Sequence, residues 1–329
     1  MTQSGDRFGD QFGNQLGDQS GDHAAESADE PGKRLESHIG LVTITYSPGD
    51  QLAALLDSIP AATGRAVTVV LADNGSTDGS VEAAAGRPGV RLLRTGGNIG
   101  YGAAANAGVA ALDPAIGWVV VINPDVVLGE GSIDALLEAA ARHPDGGAFG
   151  PLITTPDGVV YPSARHLPSV GLGAGHALFG WWWPSNPWTR VYRQDMTEPV
   201  ERPAGWLSGS CLLLRREAFD AVHGFDPEYF MYFEDVDLGD RLGRAGWANV
   251  YCPSARVVHV GGHSTERAPD VMAQAHHRSA YRYLSRRYPA RWQAPLRWIL
   301  GAGLAVRAQL SQRSAKIAGG AVIPDRRVD

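Results

Sequence analysis

Cysteine is nearly missing from this chain. Only Cys211 and Cys252 occur in 329 residues, and no charged start followed by an apolar core precedes the first strand-like stretch. This argues against a secreted, disulfide-stapled fold and makes the cytosol the expected compartment. Long apolar runs are missing too. None reaches the roughly 18 residues that cross a bilayer, so the chain is expected to touch a membrane but not to span one. Neither sign of charge dominates: 29 Lys and Arg against 35 Asp and Glu leave −6, which offers nothing for wholesale nucleic-acid binding. With 44% hydrophobic and 19% charged residues, the chain can still bury an ordinary core as one large domain or two small ones.

Two local absences divide the chain. Residues 1 to 38 are rich in Gly, Gln, Asp and Ser but poor in aliphatic side chains, so they cannot offset the entropy of ordering and are expected to form a disordered tail. From Arg278 to Lys316 there are nine Arg or Lys and no Asp or Glu, interleaved with residues such as Tyr281, Tyr283, Trp292, Trp298 and Ile299. Basic residues among aromatic and aliphatic ones on helices favour an anionic membrane surface; a solvated face and a nucleic-acid patch are the competing readings. Residues 271–316 are accordingly read as a basic amphipathic helical region, followed by a flexible terminus at 317–329.

Between these ends strands alternate with helices. Ile39 to Tyr46 is a β-branched strand closed by Ser47-Pro48-Gly49, and Leu52, Leu55, Leu56 and Ile59 then fall at helical spacing. Val67 to Leu71 and Val90 to Leu93 are further strands, and an Ala-rich helix runs to about Leu112. Val119-Val120-Val121-Ile122 reads as a strand buried on both faces. A helix at Ser132 to Ala141 and a strand at Ala148 to Ile153 follow. The pattern loosens over residues 162 to 205, where Trp181, Trp182, Trp183 and Trp188 either cap the core or form a sugar- or lipid-facing platform. It tightens again at Trp206 to Leu214, a short helix near Arg216 to Val222, a helix from Asp235 to about Ala245, and a strand pair at Ala248–Tyr251 and Arg256–Val260. Such alternation predicts a mostly parallel α/β sheet.

Parallel α/β sheets bind ligands beyond the carboxyl ends of their strands, and carboxylates lie at those positions here. Asp73 follows the second strand, and Asn123-Pro124-Asp125 ends the fourth, although Asn-Pro-Asp alone also reads as a turn. The glycines of Gly96-Gly97-Asn98-Ile99-Gly100-Tyr101-Gly102 do not match the G-x-G-x-x-G spacing of dinucleotide sites and follow the third strand. Glu234 and Asp235 follow the aromatic run Tyr229 to Phe233, which draws them away from water; Asp237 reads as an acid complementing the helix dipole. His259 ends the last strand, with His263 a weaker candidate.

In this order, Asp73, Asn98-Ile99-Gly100, Asn123-Pro124-Asp125, Trp206-Leu207-Ser208-Gly209-Ser210, Phe233-Glu234-Asp235-Val236-Asp237 and His259 resemble the inverting family 2 glycosyltransferases of the GT-A fold. The resemblance covers roughly residues 39 to 270. It implies a Rossmann-like, mostly parallel sheet flanked by helices, with a nucleotide-binding half at 39–125, an acceptor and catalytic half at 126–270, and a C-terminal helical extension. It places Thr45, Asp73, Asn98, Gly100, Asn123 and Asp125 around a sugar nucleotide. Asp125 stands at the last acid of the family's D-x-D element and, with His259, is expected to bind Mg²⁺ or Mn²⁺. Asn123 replaces the first acid, which puts its own metal contact in question. Asp235 matches the catalytic base with Glu234 beside it, and Trp206, Ser208, Gly209 and Ser210 match the acceptor side.

More narrowly, the tryptophan-rich insert and basic tail resemble actinobacterial rhamnosyltransferases of this family. That implies dTDP-L-rhamnose as donor, a polyprenyl-diphosphate-linked N-acetylglucosamine as acceptor, a role in arabinogalactan linkage-unit synthesis, and a peripheral place on the cytoplasmic face of the inner membrane. Another nucleotide sugar or acceptor, a sugar nucleotidyltransferase, and a non-catalytic nucleotide-sugar or lipid-binding module remain as alternatives. The oligomeric state is left open.

Overall fold

The β-branched runs read from the sequence stand side by side in a computed structural model of the chain, which describes residues 38–168, 199–261 and 269–303. The proposed tail up to residue 37, Trp181 to Trp183, Trp188, His263 and the 317–329 terminus lie outside the described residues. Strand β1 (Ile39–Thr45) is fully buried and pairs in parallel with β2 (Val67–Asp73) on one side and β4 (Trp118–Ile122) on the other; β3 (Val90–Arg94) extends the sheet beyond β2. The helices between them are α1 (Gln51–Ala62), α2 (Ser80–Ala85) and α3 (Tyr101–Ala110). Helix α1 outruns its expected end and passes through Pro60. There the proline lies in the last turn and forfeits little of the helical ladder.

Beyond β4 the sheet becomes mixed. After β5 (Val126–Leu128) and α4 (Ser132–Arg142) come β6 (Gly146–Thr154), the short β7 (Val160–Tyr161) and β8 (Ala164–Arg165), then β9 (Arg202–Ala204), β10 (Trp206–Leu207) and β11 (Cys211–Arg215). Helices α5 (Arg216–Ala221) and α6 (Glu234–Arg244) precede β12 (Ala248–His259), and α7 (Pro269–Arg287) follows it. The large sheet runs β3-β2-β1-β4-β11-β6-β12-β5, with β7 and β9 attached to β6 and β12; β8 and β10 form a separate two-stranded ribbon. The expected strand pair at 248–260 is one strand, bent by a register shift between Cys252 and Arg256. Pro253 falls in that bulge, where the missing N–H costs no ladder bond.

Two apolar cores sandwich the sheet, one containing Leu41, Leu71, Ile122 and Leu213, the other Val42, Val70, Val121 and Leu212. Alternate residues of each central strand serve opposite faces, which is why these strands read as unbroken apolar runs. Each fully buried aliphatic side chain contributes about 1.5–3 kcal/mol of transfer free energy, so the strand ends carrying the polar residues are held by a deep core.

Candidate active site

At the carboxyl ends of the parallel strands the polar residues form a braced wall. Asp73 ends β2 with a fully buried carboxylate whose Oδ1 accepts from Thr45 Oγ1 at 3.0 Å and from Ser76 N at 3.0 Å, while its Oδ2 accepts from Arg94 Nη1 at 2.6 Å. Burial pushes this carboxyl up, but the hydrogen bonds from Ser76, Arg94 and Thr45 outweigh burial and hold it below the ordinary aspartate range. Asn98 Oδ1 accepts from Gly100 N at 3.2 Å, and Asn74 Nδ2 donates to the Gly100 carbonyl at 3.1 Å. Asn74 and Arg94 had no distinguishing sequence signal; their part emerges only when β1, β2 and β3 end side by side.

Gly100 is required twice. Its φ is +91°, and a Cβ there would stand 2.6 Å from the carbonyl oxygen of Phe230. Tyr101 N donates to that same oxygen at 3.0 Å, so the start of α3 is bonded to the loop that leads to the Glu234-Asp235 pair.

The second cluster gathers at the end of β4. Asn123 N donates to Ser210 O at 2.9 Å, and β5 then pairs antiparallel with the end of β12, setting Val126 opposite His259. This brings His259 Nε2 within 3.2 Å of Asp125 Oδ1 and 3.4 Å of the Asn123 amide. Asp125 Oδ1 is nonetheless buried without a hydrogen-bond partner among the described residues, since the contact with His259 is close but not aligned for one. Adjacent donors of an octahedral ion with bonds of about 2.1 Å stand about 3 Å apart, so an orphaned oxygen and an imidazole nitrogen at this separation fit a divalent cation. Among the described residues no third His, Cys, Asp or Glu joins them, which leaves room for oxygens from a substrate.

The third cluster opens α6. Tyr232 and Phe233 adopt consecutive left-handed conformations, φ 66° and 68°, immediately before Glu234 and Asp235. Such strain costs on the order of 1–3 kcal/mol per residue and persists only where the surroundings enforce it. Here α7 enforces it: the Phe233 ring packs on His276 and Tyr283, Tyr232 on His276, and Ser279 Oγ donates to Met231 O at 2.9 Å. Asp235 Oδ2 accepts from Gly209 N at 3.0 Å and Oδ1 from Val236 N at 2.8 Å. Both carboxyls lie above their ordinary range: Glu234 through burial and then the neighbouring Asp235, and Asp235 through burial that its backbone hydrogen bonds offset only in part. Glu234 Oε2 has no hydrogen-bond partner among the described residues.

The three clusters are linked. Gly209 bonds Asp235, its neighbour Ser210 bonds Asn123, and Tyr101, which the sequence did not single out, donates its buried hydroxyl to Gly209 O at 2.7 Å. Ser208 and Ser210 share a 2.6 Å hydroxyl contact on the same turn. Asp237 does more than complement the helix dipole: it is buried and ion-paired with Arg241 at 2.6 Å. The basic helix α7 also differs from a freely presented cationic face. Arg282, Arg286 and Arg287 turn inward to Glu228, Asp226 and Asp240, acids 47 to 60 positions away that no local reading of charge could supply.

The sequence pattern of Glycosyl transferase family 2 matches residues 41–222. An N-acetylglucosaminyl-diphospho-decaprenol L-rhamnosyltransferase from Mycobacterium tuberculosis (strain CDC 1551 / Oshkosh) is 57% identical over 285 residues, 84% of this chain and 93% of that protein. Rhamnosyltransferase WbbL of Escherichia coli (strain K12) is 39% identical over 82 residues, 25% of this chain and 31% of its own. Among solved structures, a Pyrobaculum calidifontis mannosyltransferase in complex with GDP-Man and Mn²⁺ superposes with a TM-score of 0.53 at 17% identity, covering 87% of this chain and 76% of that one. That likeness supports the GT-A fold. The family match excludes the nucleotidyltransferase and non-catalytic alternatives. This chain is a glycosyltransferase and belongs to glycosyltransferase family 2.

Proposed function

We propose that the enzyme transfers L-rhamnose from dTDP-L-rhamnose, with inversion, to N-acetylglucosaminyl-diphospho-polyprenol in the synthesis of an arabinogalactan linkage unit. The observation that carries this reading is the 57% identity, over most of both chains, to a protein named for that acceptor and sugar. Arrangement of the site supports it: one carboxylate able to act as base stands beside a cation-fitting pair, joined to it through Gly209 and Ser210.

In this reading Asp235 takes the proton of the acceptor hydroxyl. Each of its oxygens receives one backbone N–H and retains a second lone pair, so the carboxylate is aimed while still able to accept. Glu234, pushed up to about 8 by burial and then by the neighbouring Asp235, keeps its own proton near neutrality, which spares Asp235 an adjacent full charge. Attack assisted by a single base, from the side opposite the leaving group, inverts the anomeric centre. Asp125 and His259, with Asn123 beside them, would hold Mg²⁺ or Mn²⁺, which when bound offsets the charge that develops on the departing diphosphate. The wall of Thr45, Asp73, Asn98 and Gly100 shapes the nucleotide pocket. Trp206 and Ser208 to Ser210 border the acceptor side.

No helix among the described residues is long and apolar enough to cross a membrane. Trp292, Trp298 and Ile299, which are 80%, 72% and 69% exposed, follow α7 and lie near Arg291 and Arg297 in sequence, a composition suited to peripheral contact with the cytoplasmic face of an anionic membrane. The test is incubation of the purified enzyme with dTDP-L-rhamnose, Mn²⁺ or Mg²⁺ and N-acetylglucosaminyl-diphospho-polyprenol, with mass analysis of the lipid. A mass increase of one deoxyhexose is expected. Transfer only from a UDP- or GDP-sugar would replace the donor, and transfer only to phosphate-free sugars would replace the acceptor.

A further inference from the structure

We propose that Arg165 receives the diphosphate of the lipid-linked acceptor, at a cationic subsite on the β8–β10 ribbon opposite the metal-fitting pair. The proposal rests on the acceptor class given above and adds a residue that neither the sequence pattern nor the family resemblance singled out.

The argument begins with charge. Donor and acceptor each carry a diphosphate, and two such groups in one cleft repel unless each meets its own counter-charge. The donor's counter-charge would come from the divalent cation that Asp125 and His259 fit. On the acceptor side the need must be met by a side chain, and most arginines around the site are already committed. Among the described residues, Arg94 is paired with Asp73 and Glu82, Arg241 with Asp237, Arg244 and Arg287 with Asp240, and Arg286 with Asp226 and Glu228. Arg202, on β9, spends its donors on the carbonyls of Pro203 and Ala164 and stacks on Tyr251. Arg165 has no carboxylate partner among the described residues, and the one hydrogen bond its side chain makes there runs from Nε to Pro162 O at 2.9 Å.

Geometry places this guanidinium correctly. Arg165 and Trp206 are direct partners across the ribbon, so they share one face, while Ala164 and Leu207 turn into the core. The guanidinium carbon lies 5.9 Å from the ring centroids of both Tyr161 and Trp206, so two aromatic rings hold it on this face of the ribbon. Trp206 is itself fixed: its indole donates to His166 O at 3.1 Å, and its backbone runs so close to α6 that a Cβ at Gly239 would stand 2.8 Å from the Trp206 Cβ. From this ribbon the chain passes through Ser208, bonded to Ser163 O, to Gly209 at the base and Ser210 at Asn123. Cationic subsite, base and metal-fitting pair thus follow one another along a single segment. Arg165 is also among the charges that favour the ionised form of Asp235. An acceptor bound with its diphosphate at Arg165 therefore presents a hydroxyl of its sugar to Asp235, with the donor's diphosphate on the far side.

Arg165→Gln and Arg165→Lys test this with two acceptors, N-acetylglucosaminyl-diphospho-farnesol and a phosphate-free octyl N-acetylglucosaminide. Loss of a forked, charge-assisted contact is expected to raise KM for the diphosphate acceptor by about 10–100-fold in Arg165→Gln, less in Arg165→Lys, which keeps the charge without the fork. KM for the octyl glycoside and the calorimetric affinity for dTDP-rhamnose with Mn²⁺ should not move. Equal losses on both acceptors, or weakened donor binding, would overturn the assignment. The unaltered enzyme supplies a check that survives poor folding of the variants: its KM must be lower for the diphosphate acceptor, and equal values refute the subsite. Failure of the unaltered enzyme to use either acceptor would instead remove the functional reading beneath it.

Discussion

Asp73 and Asp235 are both buried aspartates, assigned in the reading proposed above to the donor half and the acceptor half, and their surroundings treat them in opposite ways. Asp73 is enclosed by donors from the ends of β1 and β3 and from Ser76 in the loop after β2, and its carboxyl is held down. Asp235 receives two backbone N–H groups, has a second buried acid next to it, and is pushed up. The donor half spends its charges on rigidity; the acceptor half keeps a carboxylate under-compensated, which is the condition for a group that must take a proton.

The largest effect expected follows from removing the group that stands where the halves meet. Asp125→Ala should abolish transfer and, in calorimetry, eliminate the Mn²⁺ dependence of dTDP-sugar binding, because His259 and Asn123 alone offer no carboxylate. Full activity would end the metal role assigned here. Next in size is Asp235→Asn, which keeps shape but cannot accept a proton. Transfer should fall by the roughly 10²–10⁴ typical of general-base loss, with donor affinity retained. In the native enzyme the acid limb of kcat/KM should lie above the ordinary aspartate range, because the proposed base Asp235 acts in its ionised form and burial raises its carboxyl. Lost donor affinity in the Asn variant would move Asp235 into the nucleotide site.

The comparison also explains what could be read without coordinates. Strands β1, β2 and β4 were legible because burial produces nearly continuous apolar, β-branched runs, and Asp73 and Asp125 after β2 and β4 were legible because strand ends in such sheets face a cleft; β3, a half-exposed edge strand, showed only in Val90, Leu92 and Leu93. The antiparallel half was harder. Strands of two or three residues such as β5, β8 and β9 have no period to detect, and the bulge at Pro253 made one strand look like two. Pairings between distant segments were invisible: His259 meets Asp125 only through the β5–β12 register, and Arg286 reads as a membrane cation until Asp226 and Glu228 appear opposite it.

Gly100 tests whether the halves are coupled. In Gly100→Ala a left-handed φ becomes costly, by about 1 kcal/mol or more, and the new Cβ must displace the Phe230 carbonyl. Because Phe230 lies in the loop entering α6, we expect kcat to fall about tenfold or more, a mechanical loss distinct from the Asn variant's because the melting temperature drops with it. A loss confined to donor KM would show that the Phe230 contact does not reach the base.

The smallest effect separates the halves by stability alone. Glu234 has an ordinary value of 4.5 and is pushed to about 8 by burial, with Asp235 as the second cause. The folded protein therefore holds a proton that the unfolded chain releases across that window. Its contribution is fully present below 4.5 and is lost as pH rises through about 8. Glu234→Gln mimics the protonated acid at every pH, so its melting temperature should match the native enzyme's near pH 4.5 and exceed it by a few degrees above pH 8. Asp73 carries the opposite sign. Its carboxyl is lowered, so its contribution is present above the ordinary value of 3.8 and lost as pH falls through the folded one. Asp73→Asn should consequently melt lower than the native enzyme at pH 7, with the gap closing only in strong acid. Differential scanning calorimetry of both variants between pH 3 and 9 measures the two signs together. A Gln variant whose melting temperature tracks the native enzyme throughout would show that Glu234 is not held protonated, and the electrostatic contrast between the halves would then rest on Asp73 alone.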